Sequence, residues 1–483
     1  MNSATDFADG LSPMLVKELR QGMRSRLFVI SFLLLQGAMI FVAIIGLSTS
    51  AKQGETSAMT ALFWTILGAP LAVIMPMSGL SAVGNERKAN TLELIFLTRL
   101  TARRILTGKW LALVAQTVLL VCAVLPYAVL RYFLGGVNLG AELTIVALLL
   151  LGSALLSGLA VGFSPQSSRL TRSLLAVGIF IGLQFFSRFI FQFGFVGGPV
   201  SSRASMNWGT YLSLAWIGLL GLLLMLEFGA SKIAPTAENH ATSRRLIGLI
   251  VLGGVAIFGS RDLFSSPLWV CSLLLLGPIC IGALCEPPPF VPSIYRPFAR
   301  FGGWGKLAGR FLYPGWPSGV FFTLVALAVM FAVGYYHSRA AVAGEWIIWA
   351  GVAVAGALYF PAALIRVFLP RSQRPFFVYV GIQATLALLV ALGAILAASN
   401  GVDFRFALAM IPTCGLLLAG SQVLEDGNIL RVLIGTGLIT AASFCFLLFK
   451  MREPWRKIRT LEKAAAALPS ASTIDGAERA TTK

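Results

Sequence analysis

The amino-acid sequence predicts an all-α, polytopic membrane protein built as a bundle of about 12–13 transmembrane helices. Apolar runs of about 20 residues recur along most of the chain, and a helix of that length crosses a hydrocarbon core about 30 Å thick. Only 12% of the residues are charged, about half the share found in soluble proteins. Strands of about ten residues with alternating polarity, which are typical of membrane barrels, do not occur.

Thirteen apolar runs are the predicted spans. They lie at 27–47, 58–83, 110–130, 143–163, 173–195, 208–228, 246–260, 267–285, 318–336, 346–369, 376–398, 405–421 and 430–449. A polar stretch at 231–245 follows the sixth run. We therefore predict four parts: an N-terminal amphipathic interfacial helix in 1–26, a six-span domain in 27–235, a second transmembrane domain of six or seven spans in 246–449, and a basic, disordered tail in 450–483.

The distribution of Lys and Arg predicts the orientation. With the N-terminus inside, the inside loops up to residue 375 hold about four times as many Lys and Arg as the outside loops, as the positive-inside rule expects. This predicts a multi-pass protein of the cell (inner) membrane with a cytoplasmic N-terminus. Thirteen spans, however, place the basic tail outside. Either 246–260 or part of the hairpin 405–449 does not cross the membrane, or the tail departs from the rule.

Several function classes have no support in the sequence. A phosphate-binding loop is missing, because Lys109 is followed by Trp110 and Lys306 by Leu307 where that motif needs Ser or Thr. Two histidines and dispersed cysteines indicate no metal site. The net charge of +19 lies mainly in loops between spans, so it indicates membrane orientation and not nucleic-acid binding. We therefore predict a non-enzyme with no catalytic, cofactor-binding or metal-binding residues.

Residues 12–26 have the pattern of an amphipathic helix that lies in the membrane interface. Apolar side chains fall on one face of this helix and basic side chains lie elsewhere on its surface. The apolar set is Leu15, Leu19 and Met23, and the basic set is Lys17, Arg20 and Arg24. The alternative is an ordinary cytosolic flank of the first span, and the two interpretations are compatible with each other.

The segment between the second and third spans predicts a short cytoplasmic helix with one apolar face. Leu92, Ile95 and Phe96 share that face. Polar and charged residues supply the rest of its surface, among them Glu86, Arg87, Thr91 and Glu93. Such a helix could dock into a groove on a partner protein. The alternative is a helix that lies on the lipid surface without a partner.

Ionisable groups at mid-membrane depth would indicate ion-coupled transport. The fifth predicted span holds a candidate intramembrane polar site made of Gln184, Ser187 and Arg188. Alternatively, the Arg188 side chain extends toward an interface or pairs locally. The loop 286–317 mixes prolines with basic and aromatic residues, which predicts an interfacial belt that lies on anionic lipid or adds to a partner surface.

Two stretches resemble the membrane-spanning permease of type-2 ABC transporters, an exporter class that works with a separate ATPase. They are 12–26, SPMLVKELRQGMRSR, and 86–109, ERKANTLELIFLTRLTARRILTGK. The resemblance covers about residues 12–235 and leaves 246–483 outside it. It implies that 86–97 is the coupling helix that meets an ATP-binding-cassette ATPase. It also implies a second permease subunit, identical or different, and no nucleotide site on this chain.

The leading hypothesis is therefore a permease that moves substrate out of the cytoplasm with a partner ATPase, in contact with membrane lipids. Two other hypotheses stay open. A membrane scaffold or assembly factor would bind the partner without moving a solute. An ion-coupled secondary transporter would use the polar site at Arg188.

Overall fold

The structure is a computed structural model. It describes residues 13–49, 56–84, 86, 100–134, 139–165, 208–235, 238–258, 267–288, 291–299, 301–337, 344–370, 372, 375–400, 405–418 and 429–467. All regular secondary structure in these residues is helical. Ten of the described helices are long and apolar enough to cross a membrane. The protein is thus an all-α, multi-pass membrane protein, which confirms the predicted fold class.

The chain divides into two compact units. The first comprises Met1–Tyr211 and Gly218–Ala234, and the second comprises Leu212–Ile217 and Pro235–Lys483. The described helices of the first region are α1 (Pro13–Met23), α2 (Arg26–Thr49), α3 (Thr56–Ala69), α4 (Met75–Ser81), α5 (Ala102–Leu134), α6 (Leu139–Phe163) and α7 (Trp208–Ile233). The predicted span 173–195 lies outside the described residues.

A short π-helical segment, Pro70–Ile74, joins α3 to α4. Its hydrogen bonds run five residues back, as from the Met75 N–H to the Pro70 carbonyl. Pro76 has no N–H, so it cannot donate to the carbonyl of Leu71. The hydroxyl of Ser153 on α6 donates to that carbonyl instead. A neighbouring helix thereby satisfies a backbone group that the proline leaves without its usual donor, as a span in lipid requires.

The helices of the second unit follow from residue 241 onward. They are α8 (Ala241–Phe258), α9 (Pro267–Cys285), α10 (Arg296–Ala299), α11 (Gly302–Leu312), α12 (Trp316–His337), α13 (Gly344–Phe368), α14 (Pro375–Asn400), α15 (Arg405–Ala409), α16 (Pro412–Leu417), α17 (Ile429–Lys450) and α18 (Arg452–Ala467). A 3-10 turn at Pro292–Tyr295 precedes α10. The predicted span 246–260 begins five residues earlier than expected, at Ala241, so α8 reaches spanning length.

The predicted span 405–421 is wrong as a continuous helix. Its described part forms α15 and α16, of five and six residues, and each is far shorter than the hydrocarbon core requires. The break has a local cause. Ile411 precedes Pro412 and adopts an extended backbone, with φ −77° and ψ 121°, because the proline ring disfavours helical geometry in the residue before it.

The predicted disordered tail is also wrong for residues 452–467, which form α18. The Ile458 and Ala465 side chains of this helix are buried against Ile294, Tyr295 and Tyr313. The Tyr313 hydroxyl donates to Glu462 Oε1 at 2.6 Å. Burial and the nearby Glu462 carboxylate raise the pKa of Tyr313, so its phenol keeps its proton even in alkaline solution and remains a hydrogen-bond donor. Residues 468–483 lie outside the described part of the chain.

Candidate functional site

Three segments of the first unit meet at the side chain of Lys109 on α5. The Lys109 Nζ lies 3.0 Å from Glu18 Oε1 on α1 and 2.8 Å from Glu86 Oε1, which follows the end of α4. The Lys109 side chain is 3% exposed, and the two glutamates are 15% and 16% exposed. We call these three residues the Lys109 ion cluster. It joins both stretches that carry the family resemblance.

Helix α1 approaches α5 closely along one stripe of residues. Met14, Glu18 and Gly22 are spaced four apart, so they lie on the same helical face. A Cβ added at Gly22 would lie 2.0 Å from Gln116 Nε2 on α5, and one added at Gly108 would lie 3.2 Å from Met14 Cγ. The two glycines let the helices come near enough for Glu18 to reach Lys109.

The energetics of the cluster depend on mutual compensation. A buried ammonium loses its hydration, and nearby carboxylates offset that cost only while both partners are present. Lys109 has two such partners, and each carboxylate retains some exposure to water. The three side chains therefore stabilise one another. Removal of Lys109 would leave the neighbouring carboxylates of Glu18 and Glu86 without the positive charge of its ammonium group.

Further contacts hold the same end of the helices. Arg103 on α5 forms an ion pair with the buried Glu227 on α7, with 2.7 Å between Nη2 and Oε1. The Ser164 hydroxyl, at the end of α6, accepts hydrogen bonds from the backbone N–H groups of Val83 and Gly84 at 2.8 and 3.3 Å. The chain around Glu86 is thus attached to α5 and α6, and through Lys109 to α1.

The close packing of α6 and α7 depends on glycines. Gly158 and Gly162 are spaced as in the small-residue motifs that bring membrane helices together. A Cβ added at Gly162 would lie 2.4 Å from the Met225 carbonyl oxygen, and one added at Gly229 would lie 2.6 Å from the Gly162 carbonyl oxygen. Gly229 also lies against α5, where its added Cβ would be 2.5 Å from Leu106 Cδ2, on the same helices that carry the Arg103–Glu227 pair.

The structure describes only some of the predicted site residues. On α1 and just after it, Leu15, Leu19 and Met23 are half-buried, whereas Lys17, Arg20 and Arg24 are exposed. Glu86 lies in the Lys109 ion cluster, although it was expected on the surface that meets a partner. The remaining predicted residues lie outside the described part of the chain: Arg87, Thr91, Leu92, Glu93, Ile95, Phe96, Gln184, Ser187 and Arg188.

A second buried cation, which sequence reasoning placed in a loop, lies in the second unit. Arg245 on α8 is 1% exposed. Its guanidinium donates to the Glu286 carboxylate at 3.2 Å, to the Gly315 carbonyl at 3.0 Å and to the Ser318 hydroxyl at 3.0 Å. Glu286 directly follows α9, Gly315 lies between α11 and α12, and Ser318 is in the first turn of α12. Arg245 therefore has a structural role, since both of its terminal nitrogens, Nη1 and Nη2, donate to protein groups.

Comparison of the chain with models of known protein families, with curated proteins and with solved structures finds no match. Among the described residues, no three His, Cys, Asp or Glu side chains converge as metal ligands would. The Lys109 ion cluster connects α1, α5 and the chain after α4, and it is suited to transmitting movement between them.

Proposed function

We propose that this chain is the permease subunit of an ATP-driven transporter of the type-2 ABC class, which moves substrate out of the cytoplasm with a separate ATPase. The observation that carries the proposal is the Lys109 ion cluster. It connects Glu18, in the stretch that resembles an interfacial helix, with Glu86, at the base of the stretch that resembles a coupling helix.

The cluster supplies a path for mechanical coupling. A partner that pushes on the segment 86–97 moves Glu86, and Glu86 is bonded to Lys109 on α5. Lys109 in turn is bonded to Glu18 on α1. One displacement at the membrane surface thus reaches a spanning helix and the interfacial helix together. The permease then changes which side of the membrane its substrate path opens to.

We also propose that the N-terminus and the tail both lie in the cytoplasm. Without 405–421, twelve of the predicted spans remain, and an even number returns the chain to its starting side. The basic residues after α17 then obey the positive-inside rule. This orientation puts Glu86 and α1 on the side where ATP is available.

The test is reconstitution with candidate ATP-binding-cassette ATPases, beginning with any that is encoded beside this chain. We expect the wild-type pair to co-purify and the ATPase rate to rise in the presence of the permease. Glu93→Lys alters the predicted coupling surface, so it should weaken co-purification. Glu86→Gln weakens the bond to Lys109, so the pair should still assemble but the ATPase should lose its stimulation. Lys17→Gln, on the exposed face of α1, is the matched control and should behave as wild type.

Other results would favour the other hypotheses. If no ATPase co-purifies with the wild-type chain, the proposal is wrong. Full ATPase activity without movement of any solute across vesicles would indicate a scaffold or assembly factor. Solute movement that follows an ion gradient in vesicles without ATPase would indicate a secondary transporter, and Arg188→Gln would be the next variant to examine.

A further inference from the structure

A groove of about 390 Å³ in the second unit combines basic and apolar walls. Its basic side is lined by Arg310 on α11 and by Arg452, Arg456 and Arg459 on α18. All four arginines are exposed. A guanidinium presents paired N–H donors that match phosphate oxygens. The basic side therefore has the chemistry of a phosphate site.

No acidic side chain lines this groove in the described part of the chain. The two glutamates of α18 are engaged elsewhere. Glu453 pairs with Lys457 at 3.0 Å between Oε1 and Nζ, and Glu462 accepts the hydrogen bond of Tyr313. Glu453 also interacts electrostatically with Arg456, but the four arginines of the groove outnumber the two glutamates of α18, so the groove keeps a net positive charge.

The apolar side of the groove comes from the ends of two spanning helices. Phe321 lies near the start of α12, Leu448 lies near the end of α17, and Trp455 completes the wall. The Phe321 and Trp455 rings pack edge to face, with 6.1 Å between their centroids. One candidate span begins at Trp316, and another ends at Lys450. The groove thus lies at the depth where lipid headgroups meet acyl chains.

We propose that this groove binds an anionic phospholipid, with its phosphate among the arginines and the upper part of an acyl chain against Phe321, Leu448 and Trp455. A basic pocket beside spanning helices has the charge and depth that anionic headgroups need. A soluble anion would use the arginines but would leave the apolar wall exposed to water. Because α18 is docked by its buried face, its basic face is already positioned for a lipid.

The experiment uses the purified full chain in detergent and adds phosphatidylglycerol, phosphatidylcholine or inorganic phosphate. Binding is measured by native mass spectrometry of lipid adducts and by the shift of the melting temperature. We expect phosphatidylglycerol to bind and stabilise far more than phosphatidylcholine. The double variant Arg456→Gln/Arg459→Gln should lose roughly thirty-fold in affinity for phosphatidylglycerol, since each arginine near a headgroup contributes about a factor of five.

Two further variants make the result specific. Arg431→Gln/Lys463→Gln removes the same charge outside the groove and leaves the Glu453–Lys457 pair intact, so its affinity should match wild type. Arg456→Lys/Arg459→Lys keeps the positive charge, so it should retain most of the binding. That result would show that the double Gln variant loses affinity through its lost charge and not through misfolding. Equal binding of the two lipids, loss of binding in the outside control, or complete competition by millimolar inorganic phosphate would overturn the proposal.

Discussion

Lys109 illustrates, at the residue scale, how one buried charge can organise three segments. An isolated ammonium in this position would be costly to bury, but the two glutamates bring opposite charge to it from separate parts of the chain. The dependence is mutual, because Glu18 and Glu86 are each only partly exposed. Loss of the lysine should therefore affect the position of α1 as well as stability.

We predict that Lys109→Met lowers the stability of the protein by about 3 kcal/mol, the low end for a broken buried pair because water still reaches the carboxylates. Thermal unfolding in detergent measures this effect. Limited proteolysis near residue 24 should show faster cleavage, because α1 loses its attachment to α5. Lys17→Met, at an exposed position on α1, should leave both measurements unchanged. Equal behaviour of the two variants would contradict the role of the Lys109 ion cluster.

Sequence reasoning identified α1 but missed what Glu18 does. The amphipathic pattern depends on neighbours three and four residues away, so it is visible in a short window. The partner of Glu18, by contrast, lies 91 residues further along the chain, and nothing local indicates that pairing. Arg245 was missed for the same reason, since its partners lie 41 to 73 residues away.

At the element scale, two prolines inside spans, Pro76 and Pro361, are matched by donors on neighbouring helices. Pro361 in α13 cannot donate to the carbonyl of Ala357, four residues earlier. The Tyr379 hydroxyl and Gln383 Nε2 of α14 donate to that carbonyl at 3.0 and 2.7 Å. The arrangement repeats the one between Ser153 and Leu71 in the first unit.

We predict that Tyr379→Phe/Gln383→Leu costs about 1 kcal/mol or more, because the Ala357 carbonyl is left without a donor in an apolar surrounding. In a Pro361→Ala background the new N–H supplies the bond, so the same double variant should cost much less. Thr385→Val, which removes a hydroxyl bonded only within its own exposed helical turn, is the control. Equal losses of stability in the two backgrounds would show that Tyr379 and Gln383 do not replace the backbone donor that Pro361 lacks.

The α6–α7 contact gives a second prediction at this scale. Gly162→Ala places a Cβ 2.4 Å from the Met225 carbonyl oxygen, so we expect a loss of about 1–3 kcal/mol from overpacking. Gly37→Ala in α2 meets nothing within 4 Å, and it should be neutral or slightly stabilising. Melting temperatures of the two variants in the same detergent test the contrast. A neutral Gly162→Ala would contradict the close packing of these helices.

Most spans were predictable because length and apolar composition are local properties. The boundary errors have physical causes. The charged Arg244 and Arg245 hid the first turns of α8, because both pair with Glu286, about 40 residues away, and nothing local in the sequence indicates that pairing. The break before Pro412 was visible in the sequence as a residue that precedes proline, but apolar composition outweighed it in the prediction of a span.

At the scale of the whole molecule, the break between α15 and α16 bears on the topology. Two helices of five and six residues are too short to cross the membrane one after the other in a straight line. If this segment enters and leaves on one side, the chain crosses twelve times. The basic residues that follow α17 then lie on the same side as those of α1.

We predict that epitope tags inserted at residues 403 and 424 are both accessible from outside the cell, whereas tags at residue 372 and after residue 483 are accessible only after permeabilisation. The reason is that α14 carries the chain outward, 405–421 stays on that side, and α17 returns it. Antibody binding to intact and permeabilised cells measures the four positions, and the tag at 372 serves as the inside reference. Opposite sides for 403 and 424 would mean that 405–421 crosses the membrane. The basic tail would then lie outside, against the charge distribution of the rest of the chain.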